Sequence, residues 1–250
     1  MHNTTDAIKT AQQIIDNTSK VIVGKRNVIE LAVATLIAQG HLLVEDVPGV
    51  GKTMLAKSLA TSIGCSFNRI QCTPDLLPSD ITGLSIYNQQ NGQFEFREGP
   101  LMSQVVLADE INRATPKTQS ALLESMEEQQ ITVDGVTHTL QAPFIVLATQ
   151  NPIEYEGTFP LPEAQLDRFM IRLRMGYPEP QEEEEMLTRF QSTDPLDDLR
   201  PVTTALEILE YQNMVRHVYV DPVLRGYVVR VVKATRDHPE VELGASPRAS

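Results

Sequence analysis

The segment Pro48-Gly49-Val50-Gly51-Lys52-Thr53 holds the residues with the clearest chemistry in this chain. Leu42-Leu43-Val44 ahead of it predicts a buried strand, and Thr53-Met54-Leu55-Ala56 predicts the first turn of a helix. A strand, a glycine turn and a helix N-terminus bring backbone N–H groups and the positive end of a helix dipole to one point, which makes an anion site. Lys52 adds a cation able to reach β- and γ-phosphates, and the Thr53 hydroxyl can ligate Mg²⁺. The pattern G-x-x-x-x-G-K-[ST] asks for glycine at position 46, where this chain has Asp46. Aspartate tolerates left-handed backbone better than most residues, so the turn is expected to survive. The alternative is a glycine-rich strand-to-helix turn that holds no ligand.

Four further segments extend that chemistry. Val105-Val106-Leu107-Ala108 is an apolar run ending in Asp109-Glu110. Beside a phosphate loop, one carboxylate at a strand tip can hold hydrated Mg²⁺ and the next can polarise a water for attack on a γ-phosphate. Asp109 is assigned the metal and Glu110 the water. Phe144 to Thr149 leads into Gln150-Asn151-Pro152, where Asn151 either orients the attacking water or is simply a turn residue before proline. Leu166-Asp167-Arg168-Phe169 makes Arg168 the candidate for a cation supplied to the developing charge, often by a neighbouring molecule. Arg172 and Arg174 lie nearby as decoys. Gly244-Ala245-Ser246-Pro247-Arg248 puts Arg248 at a helix start, from which it can report the presence of a γ-phosphate.

These residues need a scaffold, and the hydrophobic pattern supplies one. Helices are predicted over 7–18, 27–39 and 117–128, and strands over 66–71, 105–108 and 144–148. Continuous apolar strands alternating with helices argue for a parallel sheet covered on both faces. Two hairpins are predicted, at 84–96 around Asn91-Gly92 and at 131–140 around Asp134-Gly135. Beyond Tyr177-Pro178 the pattern turns helical, over 181–191, 205–217 and 222–238, so a domain boundary is expected near Pro178. The acidic run Glu182–Glu185 sits at a helix start and reads as a solvated face.

The 250 residues are 41% apolar with no Trp, so the core must be mostly aliphatic. A net charge of −12 repels nucleic-acid backbones and anionic lipid, which disfavours general nucleic-acid binding. The two cysteines, Cys65 and Cys72, match no zinc spacing and read as apolar fillers. The N-terminus lacks a secretory core, and no apolar stretch is long enough to span a bilayer. A soluble cytoplasmic protein is the default expectation.

Taken in order, the segments Glu45 to Thr53, Leu107 to Ala114, Lys117 to Glu124, Ala148 to Pro152, Glu163 to Phe169 and Gly244 to Arg248 resemble those of AAA+ ATPases, and within them the MoxR family. Asp46, which departs from the generic loop pattern, is what that family commonly carries. The resemblance covers nearly the whole chain. It implies an α/β P-loop NTPase core over 1–177 with β-hairpin insertions, followed by a helical lid over 178–250. It makes Glu45, Asp46, Val47, Pro48, Gly49, Val50, Gly51, Lys52, Thr53 and Met54 the nucleotide contacts, with Arg248 as a further one acting in cis or in trans. Thr53 and Asp109 are the implied Mg²⁺ ligands, and Glu110, Asn151 and Arg168 the catalytic residues. It also implies ATP as cofactor, a homo-oligomeric ring, usually hexameric, and ATP-driven remodelling or maturation of client proteins, often ones carrying a von Willebrand factor A domain, or metal or cofactor insertion into them. Family members usually continue past the position of Ser250, so the lid is expected to be incomplete. A nucleotide-gated scaffold with negligible turnover and a DNA-acting motor are the competing readings, the second opposed by the charge.

Overall fold

The computed structural model describes residues 4–152, 157–189 and 194–250. In chain order, α1 (Thr4–Thr18) and α2 (Arg26–Ile37) precede β1 (Leu42–Glu45), α3 (Lys52–Ser62) and β2 (Phe67–Gln71). A short α4 (Pro78–Thr82) leads into the hairpin β3 (Gly83–Asn88) and β4 (Gln93–Glu98), then β5 (Val105–Asp109) and α5 (Pro116–Glu128). The second hairpin, β6 (Gln130–Val133) and β7 (Val136–Thr139), comes before β8 (Ile145–Gln150), α6 (Glu163–Leu166) and β9 (Ile171–Leu173). The helices α7 (Pro180–Arg189), α8 (Ala205–Val215) and α9 (Pro222–Asp237) complete the chain. The helix expected over 27–39 stops at Ile37, because Gln39 adopts left-handed backbone at φ 58°. The end of the helix expected over 181–191 lies outside the described residues.

The sheet is parallel, in the order β2-β5-β8-β1-β9. The central strands β1, β5 and β8 are continuous apolar runs because both faces are covered, and the period of two sorts each of them between two cores. Leu42 and Val44, Val105 and Leu107, and Ile145 and Leu147 face a cluster built with α1, α2 and α3. Leu43, Val106 and Ala108, and Val146 and Ala148 face the other, built with α4, α5 and the second hairpin. Cys65 is half-buried and Cys72 buried, with thiols pushed by burial up to about 11 and about 12, as fillers should be.

Both hairpins stand off the sheet, each as its own antiparallel ribbon. Asp134 and Gly135 both take positive φ, 51° and 79°, which the two-residue turn of β6–β7 requires. The ribbons meet where the Phe96 and His138 rings stack at 3.9 Å. Phe94 and Tyr87 stay exposed on the first of them.

The helical segment after Pro178 docks on the same body. Thr204 caps α8 in a reciprocal box with Glu207, and α8 then presents Ile208 and Tyr211 to the α1–α2–α3 cluster. The Tyr211 hydroxyl pairs with Thr10 Oγ1 at 3.1 Å, and Gln212 Nε2 donates to the Leu36 carbonyl at 2.8 Å. By contrast α7 buries nothing and α9 buries only Val232.

Candidate nucleotide site

Parallel strands bring their carboxyl ends to one edge of a sheet, where open α/β folds bind ligands. The register sets which residues meet there. Glu45 of β1 pairs with Gln150 of β8, Ala108 of β5 with Ala148 of β8, and Gln71 of β2 with Asp109 of β5. The phosphate loop leaves β1 at this edge, so Lys52, Thr53, Asp109, Glu110 and Asn151 come to line one cavity of about 380 Å³. Gly49 and Gly51 make the turn with φ of 87° and 94°, a region costly for residues with a Cβ. Gly51 caps α3, whose first turn supplies the converging N–H groups.

Asp46 behaves differently from its sequence-based expectation. It is not in left-handed backbone; its carboxylate is buried and accepts two main-chain N–H bonds. One comes from Val47 at 2.8 Å and one from Gly176 at 2.6 Å, just past β9. A side chain thus braces the loop where a glycine would have only turned it. The Lys52 ammonium donates to the Asp46 carbonyl at 2.7 Å. Burial lowers its pKa, opposed by the charges of Asp109, Asp46 and Glu110.

Asp109 and Glu110 are organised by Thr149, a fully buried residue at the end of β8. The Thr149 hydroxyl donates to Asp109 Oδ1 at 2.5 Å and accepts the Glu110 N–H at 2.9 Å. Arg69 Nη2 donates to the other Asp109 oxygen at 2.6 Å. Glu110 sits in left-handed backbone, φ 57°, a strained state for a non-glycine that turns its carboxylate off the strand axis. That carboxylate accepts from Arg113 at 3.0 Å and from Gln71 at 3.1 Å. Among the described residues no group of three or more His, Cys, Asp or Glu is placed to hold a metal ion. Thr53 and Asp109 are hard oxygen donors on one cavity, a pair that suits Mg²⁺ shared with phosphate oxygens.

Three of the expected nucleotide contacts lie away from the phosphate cavity of their own chain. The 2% exposed Glu45 carboxylate is held by Arg172 and Gln150. Val47 lies outside the residues that line the loop cavities. Arg248 does not reach its own phosphate loop; it sits with Arg168 on Glu127 of α5. That cluster borders Gly40 and His41, at the amino end of β1, one strand length from the loop. Asn151 does line the phosphate cavity.

The sequence reading passed over Thr149, Gln71 and Arg69, whose roles depend on which strands are neighbours. It also passed over an apolar cavity of about 300 Å³ beside Pro48 to Gly51, walled by Val21, Ile22, Val23, Met54, Tyr177 and Met186. Its walls suit a flat base. The apolar run Val21-Ile22-Val23 was its one visible signal.

Comparison with known proteins agrees with this geometry. Residues 41–171 match the model of the ATPase family associated with various cellular activities (AAA). Bacillus subtilis YeaC, itself uncharacterized, is 56% identical over 94% of this chain and 74% of its own length. Chaperone MoxR1 of Mycobacterium tuberculosis is 43% identical over 97% of this chain and 66% of its own. The chain belongs to the MoxR family of AAA+ ATPases. The crystal structure of a candidate ATPase from Cytophaga hutchinsonii superposes with a TM-score of 0.87 at 40% identity, covering 98% of this chain and 79% of that one. The α/β P-loop fold of AAA+ ATPases is therefore shared over nearly the whole chain. Membership implies nucleotide binding. Among the described residues no helix is long and apolar enough to cross a membrane.

Proposed function

We propose that this MoxR-family chain hydrolyses ATP with Mg²⁺ in the cytoplasm, as a chaperone assembled into a head-to-tail homo-oligomeric ring, hexameric as is usual in the family. Lys52 and the first turn of α3 hold the phosphates. Thr53 and Asp109 would hold Mg²⁺, which would supply charge neutralisation to the phosphates. Thr149 fixes the Asp109 carboxylate and the Glu110 backbone. Glu110, once released by Arg113 and Gln71, takes the proton of the attacking water, and Asn151 orients that water. Residues 178–250 serve as the lid, docked through α8.

The observation that carries this reading is the position of Arg168 and Arg248. They lie together at the amino edge of the sheet, while the phosphate loop leaves its carboxyl edge. Four residues of β1 separate the two edges, about 13 Å at the rise of a strand. The arginines are badly placed for their own nucleotide and well placed for a neighbour's, and a head-to-tail contact that closes makes a ring. Mixing Arg168→Ala with Lys52→Ala protein tests it. Each variant alone should lose about 10³-fold or more in turnover, the scale of an arginine finger. Mixed rings set intact loops beside intact fingers and should recover activity. No recovery in rings shown to be mixed would mean that Arg168 acts within its own chain. Absence of turnover in the wild-type ring would favour the scaffold reading.

The clients proposed are partner proteins, including those with von Willebrand factor A domains, and the hairpins are the surfaces proposed to meet them. Phe94 is 74% exposed and Tyr87 53%, beyond what a decorative ribbon needs. Shortening either hairpin should spare basal turnover and weaken client effects.

A further inference from the structure

Glu127 stands in the last turn of α5 and forms ion pairs with two guanidinium groups at once. Arg168 Nη2 lies 3.1 Å from Oε2, and Arg248 Nη2 contacts Oε1. The turn that carries Glu127 is itself anchored, because His41 Nε2 bonds the Met126 carbonyl at 3.1 Å. The two arginines come from separate segments, one before β9 and one at the end of the chain. Both face a cavity of about 640 Å³ that Arg216 of the α8 C-cap also lines. Three arginines against Glu127 and Asp167 leave this cavity positive, on a chain whose net charge is −12. Guanidinium groups clustered in this way match the oxygens of a phosphate group.

We infer that Glu127 is an internal stand-in for the γ-phosphate of the next copy. It holds the Arg168 and Arg248 guanidinium groups as a pair and yields them only to an anion stronger than one carboxylate. This rests on the reading in which Arg168 serves a neighbour. A γ-phosphate brings more charge and three acceptor oxygens, so it displaces the single carboxylate. ADP ends one phosphate further back in the neighbour's site and leaves the pair on Glu127. The exchange lets the contact between copies read the nucleotide state, and Glu127 sets the threshold. Glu127 is thus a positioning residue whose carboxylate competes with the ligand. A purely structural Glu127 would instead neutralise the arginines and support assembly in every state.

Sedimentation velocity separates the two. Wild type, Glu127→Gln, Glu127→Asp and Arg168→Ala are titrated in protein concentration, each with Mg²⁺ and either ATPγS or ADP. The wild type should assemble at about tenfold or more lower concentration in ATPγS than in ADP, within the usual range of coupling. Glu127→Gln, isosteric and neutral, should close that gap to about threefold or less by strengthening assembly in ADP. Glu127→Asp keeps the competing charge and should keep the gap. An unchanged gap in Glu127→Gln, or weaker assembly in both nucleotides, overturns the inference. If Arg168→Ala keeps the gap, the reading of Arg168 as serving a neighbour fails first. If Arg168→Ala loses the gap and Glu127→Gln retains it, only the role of Glu127 fails. No assembly by any of the proteins in either nucleotide overturns both.

Discussion

Acid should destabilise this protein through one buried imidazole before its carboxylates become decisive. His41 is 6% exposed at the amino end of β1, edge-on to Phe144 at 5.7 Å. Its Nδ1 accepts the Val146 N–H at 3.0 Å, so the proton of the neutral ring is on Nε2 and donates to the Met126 carbonyl. The ring therefore joins β1 to β8 and to the end of α5, and a second proton would have to displace the Val146 N–H. Burial lowers the His41 pKa from 6.5 to about 4, against the smaller opposing effect of the Met126 hydrogen bond. Between those values the unfolded chain binds a proton that the folded chain does not, so stability falls as pH falls through this window and levels off below about 4. At about 1.4 kcal/mol per pH unit the full loss is roughly 3 kcal/mol, of which about 2 kcal/mol should be gone by pH 5. The assay is urea unfolding at several pH values between 7 and 4 for wild type and His41→Gln. The difference between the two isolates this ring from the carboxylates, whose titration both proteins share. A difference that stays flat from pH 7 to 5, or a His41 nitrogen resonance that titrates near 6.5, would falsify the reasoning.

Three more outcomes are expected. Asp46→Ala leaves the Val47 and Gly176 N–H groups without their acceptor, so calorimetric ATPγS affinity should fall about tenfold, with Asp46→Asn intermediate because it keeps one acceptor oxygen. Thr149→Val removes the hydroxyl between Asp109 and Glu110 at nearly constant volume. Steady-state turnover should drop about 10–100-fold, with ATP affinity changed by less than about threefold. Tyr211→Ala empties a site in the core shared by α8 and the sheet, and should cost about 3 kcal/mol in a single denaturant transition. A separate early transition confined to residues 178–250 would show that α8 is not coupled to the core.

Much of the architecture was legible because its signals are local. The phosphate loop, the alternation of apolar strands with helices and the Asp134-Gly135 turn each depend on a few neighbouring residues, and each lies where its pattern puts it. The strand-tip acids Asp109 and Glu110 were legible for the same reason, since an apolar run ending in two carboxylates has one edge at which to end. Asp46 shows where local reasoning stops. Its type suggested tolerance of left-handed backbone, but its role comes from Gly176, far along the chain, whose N–H reaches its carboxylate.

By itself the sequence determined the family, the nucleotide loop and the chemistry available to each site residue, because side-chain type and short-range spacing carry that information. Only the tertiary structure decided which groups meet. Strand order set β2 beside β5 and so brought Arg69 and Gln71 to the acids. Parallel register buried Glu45 against Gln150. The docking of the chain end put Arg248 on Glu127, beside Arg168 and away from its own phosphate loop. The reason is physical: hydrogen bonds and ion pairs act over a few ångströms, and distance in space between remote segments is set by sheet order and packing, which no local pattern encodes.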